Sequence, residues 1–398
     1  MISPNGIGKD AFWQALKDGK SGIKAITRFD TNQFKTKLGG EVDDFKPEEF
    51  LGEKGLRSLD RSSRFICSTA KMALDDAKLT VTEENTDEIG VCTGTTLSAL
   101  WNVSEFGHQI VKDGPLFTDV GLFPGTVVNA ASSLVSIRYN IQGFNTTISN
   151  GYTSSLDALK YAVDFIKLGR AKAILVNAVE TLGIAGFTGF NILGFLAGSS
   201  GEEVSCPFDK RRNGIILGEA AATVIIEDEE YARSRKAKIS AEIKGMGNYF
   251  EAYRLGRYHL DPRGLKGSMS RALNNAKLEA GDIDYISAAA NSVVKQDYLE
   301  TRAIKDLFGN EYKKVPVSSI KSMTGEPFSA AGLLQIVAGI GNLRYNFISP
   351  TVNYHVADAG CDLDCVPNNW RPAKLDNILV NNFGPGGNAA SLVLSRLN

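Results

Sequence analysis

Apolar residues follow two different spacings along this chain, and each spacing predicts one kind of element. Apolar positions three and four residues apart predict helices over 10–19, 63–78, 154–168 and 331–345. Short apolar runs rich in β-branched residues predict strands over 89–94, 145–149, 174–178, 222–227, 284–290, 315–320 and 377–383. Strands that alternate with helices in this way indicate a layered α/β fold.

A charged stretch divides the chain into two parts with a similar pattern of strands, turns and helices. Residues 228–237, DEEYARSRKA, are typical of a solvated surface segment. Strands that end in a turn and continue into a helix occur on both sides of this stretch. We therefore expect an N-terminal half over 1–235 and a C-terminal half over 236–398.

Composition and charge exclude several classes of protein. Of the 398 residues, 43% are hydrophobic and 22% are charged, which is typical of a folded chain with a sizeable core. The 44 Lys and Arg residues balance 45 Asp and Glu residues, so the net charge is −1. This balance argues against a general nucleic-acid or anionic-membrane binder.

The five cysteines are scattered and odd in number, which excludes a disulfide scaffold and favours a cytoplasmic protein. Cys361 and Cys365 lack a second Cys/His pair nearby, so no metal site is expected there. No secretory signal pattern begins at Met1. The uncharged run 181–201 is long enough for a membrane span, but its six glycines favour a buried glycine-rich loop and helix instead.

The most promising reactive turn lies where strand 145–149 leads into helix 154–168. A side chain at such a turn is exposed beside a helix N-terminus, which favours negative charge. The residue there is Tyr152, whose ordinary pKa of about 10 makes it a poor nucleophile, so a packed aromatic is the better interpretation. The three histidines, His108, His259 and His355, are far apart in sequence, so a Cys/His or Ser/His site is poorly supported.

Six longer motifs in order nevertheless resemble the condensing enzymes, the β-ketoacyl-acyl-carrier-protein synthases of the thiolase fold. They are DRSSRF (60–65), FPGTVVN (123–129), CPFDKRRNGIILGEAA (206–221), SSIKSMTG (318–325), CDLDCVP (361–367) and NNFGPGG (381–387). The resemblance implies a thiolase-like α/β fold, in which two similar halves form a five-layered αβαβα sandwich. It also implies an obligate dimer, no cofactor, and an acyl tunnel that reaches toward the dimer interface.

The resemblance places the three catalytic positions of the family at residues that lack the expected chemistry. The nucleophilic cysteine corresponds to Tyr152, the histidine of the HGT motif to Ala289, and the histidine of KSxxGH to Glu326. Lys321 of that last motif is retained, and Pro385 replaces the gating Phe of the C-terminal glycine-rich motif. The scaffold motifs are therefore kept while the catalytic groups are lost.

These losses bear directly on Claisen condensation, which needs a thiolate to hold the acyl chain and two imidazoles to polarise the malonyl thioester. Ala289 can neither donate nor accept a proton. An ionised Glu326 would repel the forming enolate by ~4 kcal/mol at 4 Å and an effective dielectric of 20. We therefore expect the chain to be catalytically silent by itself.

One branch of the family combines this scaffold with a missing triad, namely the chain length factors of type II polyketide synthases. The sequence resembles that branch, although such factors in aromatic polyketide systems carry Gln where Tyr152 stands. The resemblance implies a heterodimer with an active ketosynthase, a shared tunnel that limits product length, and an acyl carrier protein as second partner. Neither nucleic acid nor membrane is expected as a partner.

Positions that match the tunnel and docking sites of relatives provide the remaining candidates. Leu97 and Leu122 match residues at the far end of the tunnel, and Trp101 lies one turn beyond Leu97 if 97–107 is helical. Lys54 and Arg57 match basic residues that contact the acidic carrier protein. Each of these residues also has a simpler interpretation, as core or as solvated surface.

Three other interpretations remain open at this point. The chain could be an active acyltransferase with a displaced nucleophile at Ser149, Ser154 or Tyr152. It could instead be a homodimeric binder of acyl chains or carrier protein, or a structural stabiliser that contributes no tunnel wall. Relatives also begin with a strand before the SPNG motif at 3–6, so about a dozen residues of a first strand are expected to be missing through an artificial or mis-assigned start.

Overall fold

The computed structural model describes residues 1–254 and 256–397 and contains two main β-sheets. The first sheet has six strands, in the spatial order Gly6–Ile7, Ile2–Ser3, Ala220–Glu227, Ala173–Glu180, Ile89–Gly94 and Asn145–Ile148. The second sheet has five strands, in the order Val317–Ser318, Tyr285–Ser287, Asn377–Phe383, Asn388–Ser395 and Glu242–Phe250.

Helices cover both faces of each sheet. The α-helices are Lys9–Lys17, Glu48–Leu51, Arg61–Ala77, Leu100–Asp113, Ala130–Tyr139, Ser154–Lys167, Ile184–Ile192, Glu229–Ser234, Arg263–Ala276, Val294–Phe308, Lys321–Thr324 and Ala331–Tyr345. Two of them, Ser154–Lys167 and Ala331–Tyr345, pack between the sheets and are called the central helices. The central core joins Leu156 and Leu333 of these helices to Val176 and Val380 of the two sheets.

The outer layers complete the sandwich. Helices Arg61–Ala77 and Ala130–Tyr139 cover the outer face of the first sheet, and helices Arg263–Ala276 and Val294–Phe308 cover that of the second. The order is thus helix, sheet, helix, sheet, helix. The predicted five-layered thiolase-like fold is confirmed, and the predicted boundary after residue 235 lies in the connection between the sheets.

Side-chain caps mark where two of the helices begin. Helix Arg61–Ala77 begins at Asp60, whose carboxylate accepts the backbone N–H of Ser63 at 2.8 Å, and ends at Lys78 in the left-handed region. Helix Glu229–Ser234 begins in the same way at Asp228, inside the predicted charged segment. These side-chain caps satisfy backbone donors that the first turn of a helix leaves free.

The structure differs from the sequence expectations at several places. The strands predicted over 284–290 and 315–320 end at Ser287 and Ser318. Ala288 N still donates to Ser318 of the neighbouring strand, but side chains bind the backbone groups that follow: Ala289 N donates to Glu300 and Ser319 N to Thr351. Residues 2–3 form a two-residue strand that pairs with Ala221.

The glycine-rich run 181–201 contains the helix Ile184–Ile192, but the prediction that this segment is buried is wrong for its outer face. Within the helix only Phe187 is fully buried, while Ile184 and Ile192 are 50% and 77% exposed. Among the described residues, no single helix has the length and apolarity of a membrane span. One pair of helical segments, Val120–Thr126 and Ala130–Tyr139, passes that test only jointly and is bent by 100°.

Candidate functional site

Tyr152 lies at the turn between the edge strand Asn145–Ile148 and the first central helix, as the sequence predicts. Gly151 adopts a φ of 65°, which lets the chain turn sharply before the helix. The hydroxyl of Ser154 accepts the backbone N–H of Asn150 at 2.8 Å and donates to the carbonyl of Gly151 at 2.7 Å. The turn directs Tyr152 inward, so the side chain is buried rather than presented to substrate.

One aromatic ring packs against Tyr152, and a second packs behind it. Its ring packs edge-to-face against Phe328 with 5.0 Å between centroids, and Phe328 in turn lies 4.4 Å from Phe190. A Cβ atom at Gly384 would come within 2.4 Å of the Tyr152 ring, so the chain there must be glycine. Burial, reinforced by Glu326 and Tyr258, raises the pKa of Tyr152 well above 10, so the phenol stays protonated and is not a nucleophile.

At Ala289, which the family resemblance matches to the second catalytic position, the backbone takes part in the site and the side chain does not. The Ala289 carbonyl accepts Lys321 Nζ at 2.9 Å and Gln296 Nε2 at 3.1 Å. The Ala289 N–H donates to Glu300 Oε1 at 2.9 Å. Both backbone groups are therefore occupied, and nothing at this position can transfer a proton to substrate.

At the third position, Glu326 forms a buried ion pair with the retained Lys321. The Lys321 Nζ lies 2.9 Å from Glu326 Oε2, and both residues are 1% exposed. Asn291 Nδ2 donates to the same oxygen at 2.8 Å. The predicted repulsion of an enolate assumed an uncompensated charge on Glu326, and that assumption is wrong because Lys321 balances the charge.

Three residues of this site were missed by the sequence analysis, namely Tyr258, Gln296 and Glu300. The Tyr258 hydroxyl donates to Gln296 Oε1, so Tyr258 closes the site from the side of Ala289. Burial raises the pKa of Glu300 to about 7, and the Ala289 N–H partly opposes this shift. No local motif marks these residues, because their partners lie far away in the sequence.

The candidate tunnel residues separate into two groups. Leu97 lines a surface pocket together with Leu182, Phe187, Phe190, Leu217 and Phe328. Trp101 is 51% exposed on helix Leu100–Asp113, and Leu122 is half-buried in a short 3-10 helix. Neither of them is among the residues that line this pocket. The structure therefore does not place all three residues in this pocket.

The candidate docking residues and the cysteines lie in contrasting environments. Lys54 and Arg57 are both exposed, in the turn and short 3-10 helix before helix Arg61–Ala77. The two cysteines Cys361 and Cys365 are buried free thiols. Burial raises the pKa of Cys361 to about 11, so this thiol is protonated at neutral pH. Among the described residues, no group of three or more His, Cys, Asp or Glu side chains is arranged to hold a metal.

A large apolar surface lies between residues 101 and 137. We call it the apolar face, and its exposed members are Trp101, Val103, Ile110, Val111, Leu116, Phe117, Val120, Phe123, Val127 and Ile137. Val111, Leu116, Phe117 and Val120 are each at least 80% exposed. The strand Asn145–Ile148, at the edge of the first sheet, follows this segment. Many exposed apolar side chains within one segment are typical of an interaction surface.

Comparisons with known proteins agree with this architecture. The sequence models described as "Beta-ketoacyl synthase, N-terminal domain" and "Beta-ketoacyl synthase, C-terminal domain" match residues 1–232 and 240–355. The chain is 38% identical, over 401 residues, to the "3-oxoacyl-[acyl-carrier-protein] synthase 2" of Coxiella burnetii, covering 100% of this chain and 97% of that protein. It is 31% identical to the "Granaticin polyketide putative beta-ketoacyl synthase 1" of Streptomyces violaceoruber, covering 99% and 96%.

Solved structures give the same result. "The ishigamide ketosynthase/chain length factor" superposes with a TM-score of 0.93 at 28% identity, covering 100% of this chain and 97% of that chain. A ketosynthase solved in complex with its type II polyketide synthase acyl-carrier protein superposes with a TM-score of 0.92 at 28% identity and the same coverage. With its two sheets, its central helices and its full-length relatives, the chain belongs to the β-ketoacyl synthase family.

Proposed function

We propose that this chain is a non-catalytic ketosynthase-like subunit of the chain length factor type. It pairs with an active β-ketoacyl-acyl-carrier-protein synthase and shapes the acyl tunnel of that enzyme. The observation that carries the proposal is the set Tyr152, Ala289 and Glu326, which occupies the three positions where the family has its cysteine and two histidines.

The contacts of these three residues support a closed, inactive site. Tyr152 is a protonated phenol held between Gly384 and Phe328. Glu326 is paired with Lys321, and Ala289 offers only backbone groups that are already bonded. Condensation requires a nucleophile and groups that stabilise an enolate, and this arrangement supplies neither.

The apolar face supports pairing. A side chain such as Leu116, which is 91% exposed here, gains hydrophobic free energy when a partner covers it. An active ketosynthase is the partner that would give the complex a competent site, since a pair of identical copies would contain none. In such a complex we place Trp101 and Leu122 near the shared tunnel, and we assign Lys54 and Arg57 to docking of an acidic carrier protein.

The test is to produce the chain together with a ketosynthase that carries the cysteine and both histidines. We expect a one-to-one complex whose products change length when Trp101→Ala or Leu122→Ala is introduced into this subunit. Replacing the partner's cysteine by Ala should abolish all condensation, which assigns the chemistry to the partner.

Two results would contradict the proposal. An acyl adduct on this chain, located by intact mass and peptide mapping at Ser149, Ser154 or Tyr152, would favour an active acyltransferase. Self-association without any ketosynthase complex would favour a homodimeric binder of acyl chains or carrier protein.

A further inference from the structure

The second sheet ends in a strand whose outer side faces no other strand. Strand Glu242–Phe250 is last in the spatial order, and its strand neighbour among the described residues is Asn388–Ser395. Such an edge carries backbone N–H and C=O groups that can pair with a strand of another molecule. Phe250, at the end of the strand, is 61% exposed and adds apolar surface beside this edge. The edge therefore has the features that favour unwanted association.

The alternation of backbone groups along the strand shows which carbonyls face outward. The N–H of Glu251 donates to the carbonyl of Gly387 at 2.9 Å, so the backbone of Glu251 faces the neighbouring strand. In an antiparallel pair, consecutive residues direct their backbone groups to opposite sides. The backbone groups of Met246 and Asn248 therefore point away from the sheet, toward the side where a foreign strand would add.

Side chains of the adjacent helix already bind both of these carbonyls. Asn275 Nδ2 donates to the Met246 carbonyl and Arg271 Nη1 donates to the Asn248 carbonyl, each at 2.5 Å. The Arg271 guanidinium also lies 4.8 Å from the centre of the Tyr249 ring, and this contact holds it beside the strand. A foreign strand would have to displace both side chains before it could bond to these carbonyls.

Two glycines let helix Arg263–Ala276 come close enough for its side chains to reach the edge. A Cβ atom at Gly247 would come within 2.1 Å of the Ser268 carbonyl oxygen, and one at Gly245 within 2.3 Å of the Ala272 carbonyl oxygen. Any larger residue at these positions would push the helix away from the strand. The blocked edge therefore depends on glycine in the strand as well as on polar residues in the helix.

A bulge with an exposed lysine interrupts the same edge. Gly245 pairs with Val393 and Ile243 pairs with Leu394, so Lys244 is an extra residue without an opposite partner. A bulge of this kind bends the strand and increases its local twist. Lys244 is exposed, and a strand added beside it would have to bury or displace a charged side chain.

We propose that Lys244, Arg271 and Asn275 close this edge to strand addition and so restrict assembly to the apolar face. Two association surfaces on different parts of a subunit allow open chains of subunits, whereas one surface gives a closed pair. The restriction to a pair rests on the proposed function. The closure of the edge does not, because it is made by contacts within this chain.

The experiment uses the isolated full chain and opens the edge with the double variant Arg271→Ala, Asn275→Ala. Each substitution frees one outward carbonyl for a hydrogen bond from a second molecule. We expect larger species to form at about tenfold lower protein concentration than in the parent, as measured by sedimentation velocity. Arg302→Ala with Asn274→Ala is the matched control at exposed helix residues that donate no described hydrogen bond to the strand, and it should sediment like the parent.

Hydrogen exchange then identifies the surface that associates. In the larger species of the double variant, the peptide over 242–250 should exchange more slowly than in the parent. The reason is that a strand added at the edge protects the outward amides of Met246 and Asn248. Association through unfolded chains or through the apolar face would not slow exchange in this peptide.

Lys244→Val provides an independent variant, and it decides the question if the double variant does not fold. The residue is exposed at a bulge, so the fold should persist, and association should increase in the same direction by a smaller factor. Unchanged sedimentation of the folded variants, or larger species without slower exchange over 242–250, would overturn the inference. Pairing of the parent with a ketosynthase is measured separately, so its absence would refute the proposed function and leave the result at the edge standing.

Discussion

The buried site around Tyr152 and the surface pocket beside it lie on two sides of the Phe328 ring, and they are filled in opposite ways. On the inner side, Tyr152, Tyr258 and the Lys321–Glu326 pair occupy the space, with Tyr152 packed on Phe328, Tyr258 bonded to Gln296 and Lys321 paired with Glu326. On the outer side, glycine backbone and apolar walls face open space. The inner site is filled by its own side chains, whereas the outer pocket is open to solvent.

The largest effect is expected when one charge is removed from the inner site. Lys321→Met leaves Glu326 as an uncompensated buried carboxylate, so the free energy of unfolding should fall by about 3–5 kcal/mol. Urea denaturation measures this loss. The double variant Lys321→Met with Glu326→Leu removes both charges, so its free energy of unfolding should fall clearly less than that of Lys321→Met alone. A single variant within about 1 kcal/mol of the parent would contradict the importance of the pair.

A second test places charge on the apolar face. Val111→Asp together with Phe117→Asp should weaken pairing with the ketosynthase by about 100-fold, while stability changes little because both side chains are largely exposed. Sedimentation of the mixed subunits measures the affinity. Leu168→Asp, at a 65% exposed leucine outside the face, is the control and should pair normally. Equal effects of the two changes would argue that the face is not the interface.

The buried acids of the inner site predict an unusual pH dependence. Burial raises the pKa of Glu300 from 4.5 to about 7, so the folded protein keeps this proton at pH values where the unfolded chain has released it. Stability from this residue is therefore present near pH 4.5 and is lost as the pH rises to about 7. Glu300→Gln should raise the free energy of unfolding at about pH 8 by about 2 kcal/mol and flatten its decline between pH 5 and 7.

The comparison needed for Glu300 is a series of denaturation curves at several pH values. The exposed Glu53 is the control, and Glu53→Gln should leave the slope of unfolding free energy against pH unchanged. The slope should not vanish in Glu300→Gln, because burial also raises the pKa of Glu180 to about 7 and of Asp297 to about 6. A variant with the slope of the parent would mean that Glu300 does not carry the proton.

A smaller effect is expected at the docking site. Lys54→Glu with Arg57→Glu should slow association of the acidic carrier protein by about tenfold at low salt and flatten its salt dependence. Stopped-flow mixing at several ionic strengths measures both. Because the two residues are exposed, the free energy of unfolding should stay the same. An unchanged rate at low salt would remove them from the docking surface.

The smallest expected effect is the restoration of the nucleophile. Tyr152→Cys should give no condensation by the isolated chain, because Ala289 and Glu326 still supply no imidazole. Release of carbon dioxide from malonyl-carrier protein is the measurement. Turnover in this single variant would show that the inner site retains more catalytic capacity than its contacts indicate.

The sequence predicted the layered α/β fold well, because the spacings of helices and strands are local signals. Spacing located the central helices, whereas the match of Tyr152, Ala289 and Glu326 to the catalytic positions of the family stays a prediction. The contacts that close the site join residues far apart in the chain, such as Tyr152 with Phe328 and Tyr258 with Gln296. Periodicity describes one element at a time, so it did not predict these partners or the exposure of Ile192.

The edge strand Asn145–Ile148 and the apolar face together affect how much of this protein can accumulate in the cell. Strand edges and exposed apolar side chains are the features that chaperones and proteases recognise in unassembled chains. Under the proposed function, a copy without its ketosynthase partner would therefore be short-lived or would aggregate, so the amount of the ketosynthase would limit the amount of this subunit. Balanced synthesis of the two chains, rather than any catalytic property, would then set how much of this protein accumulates.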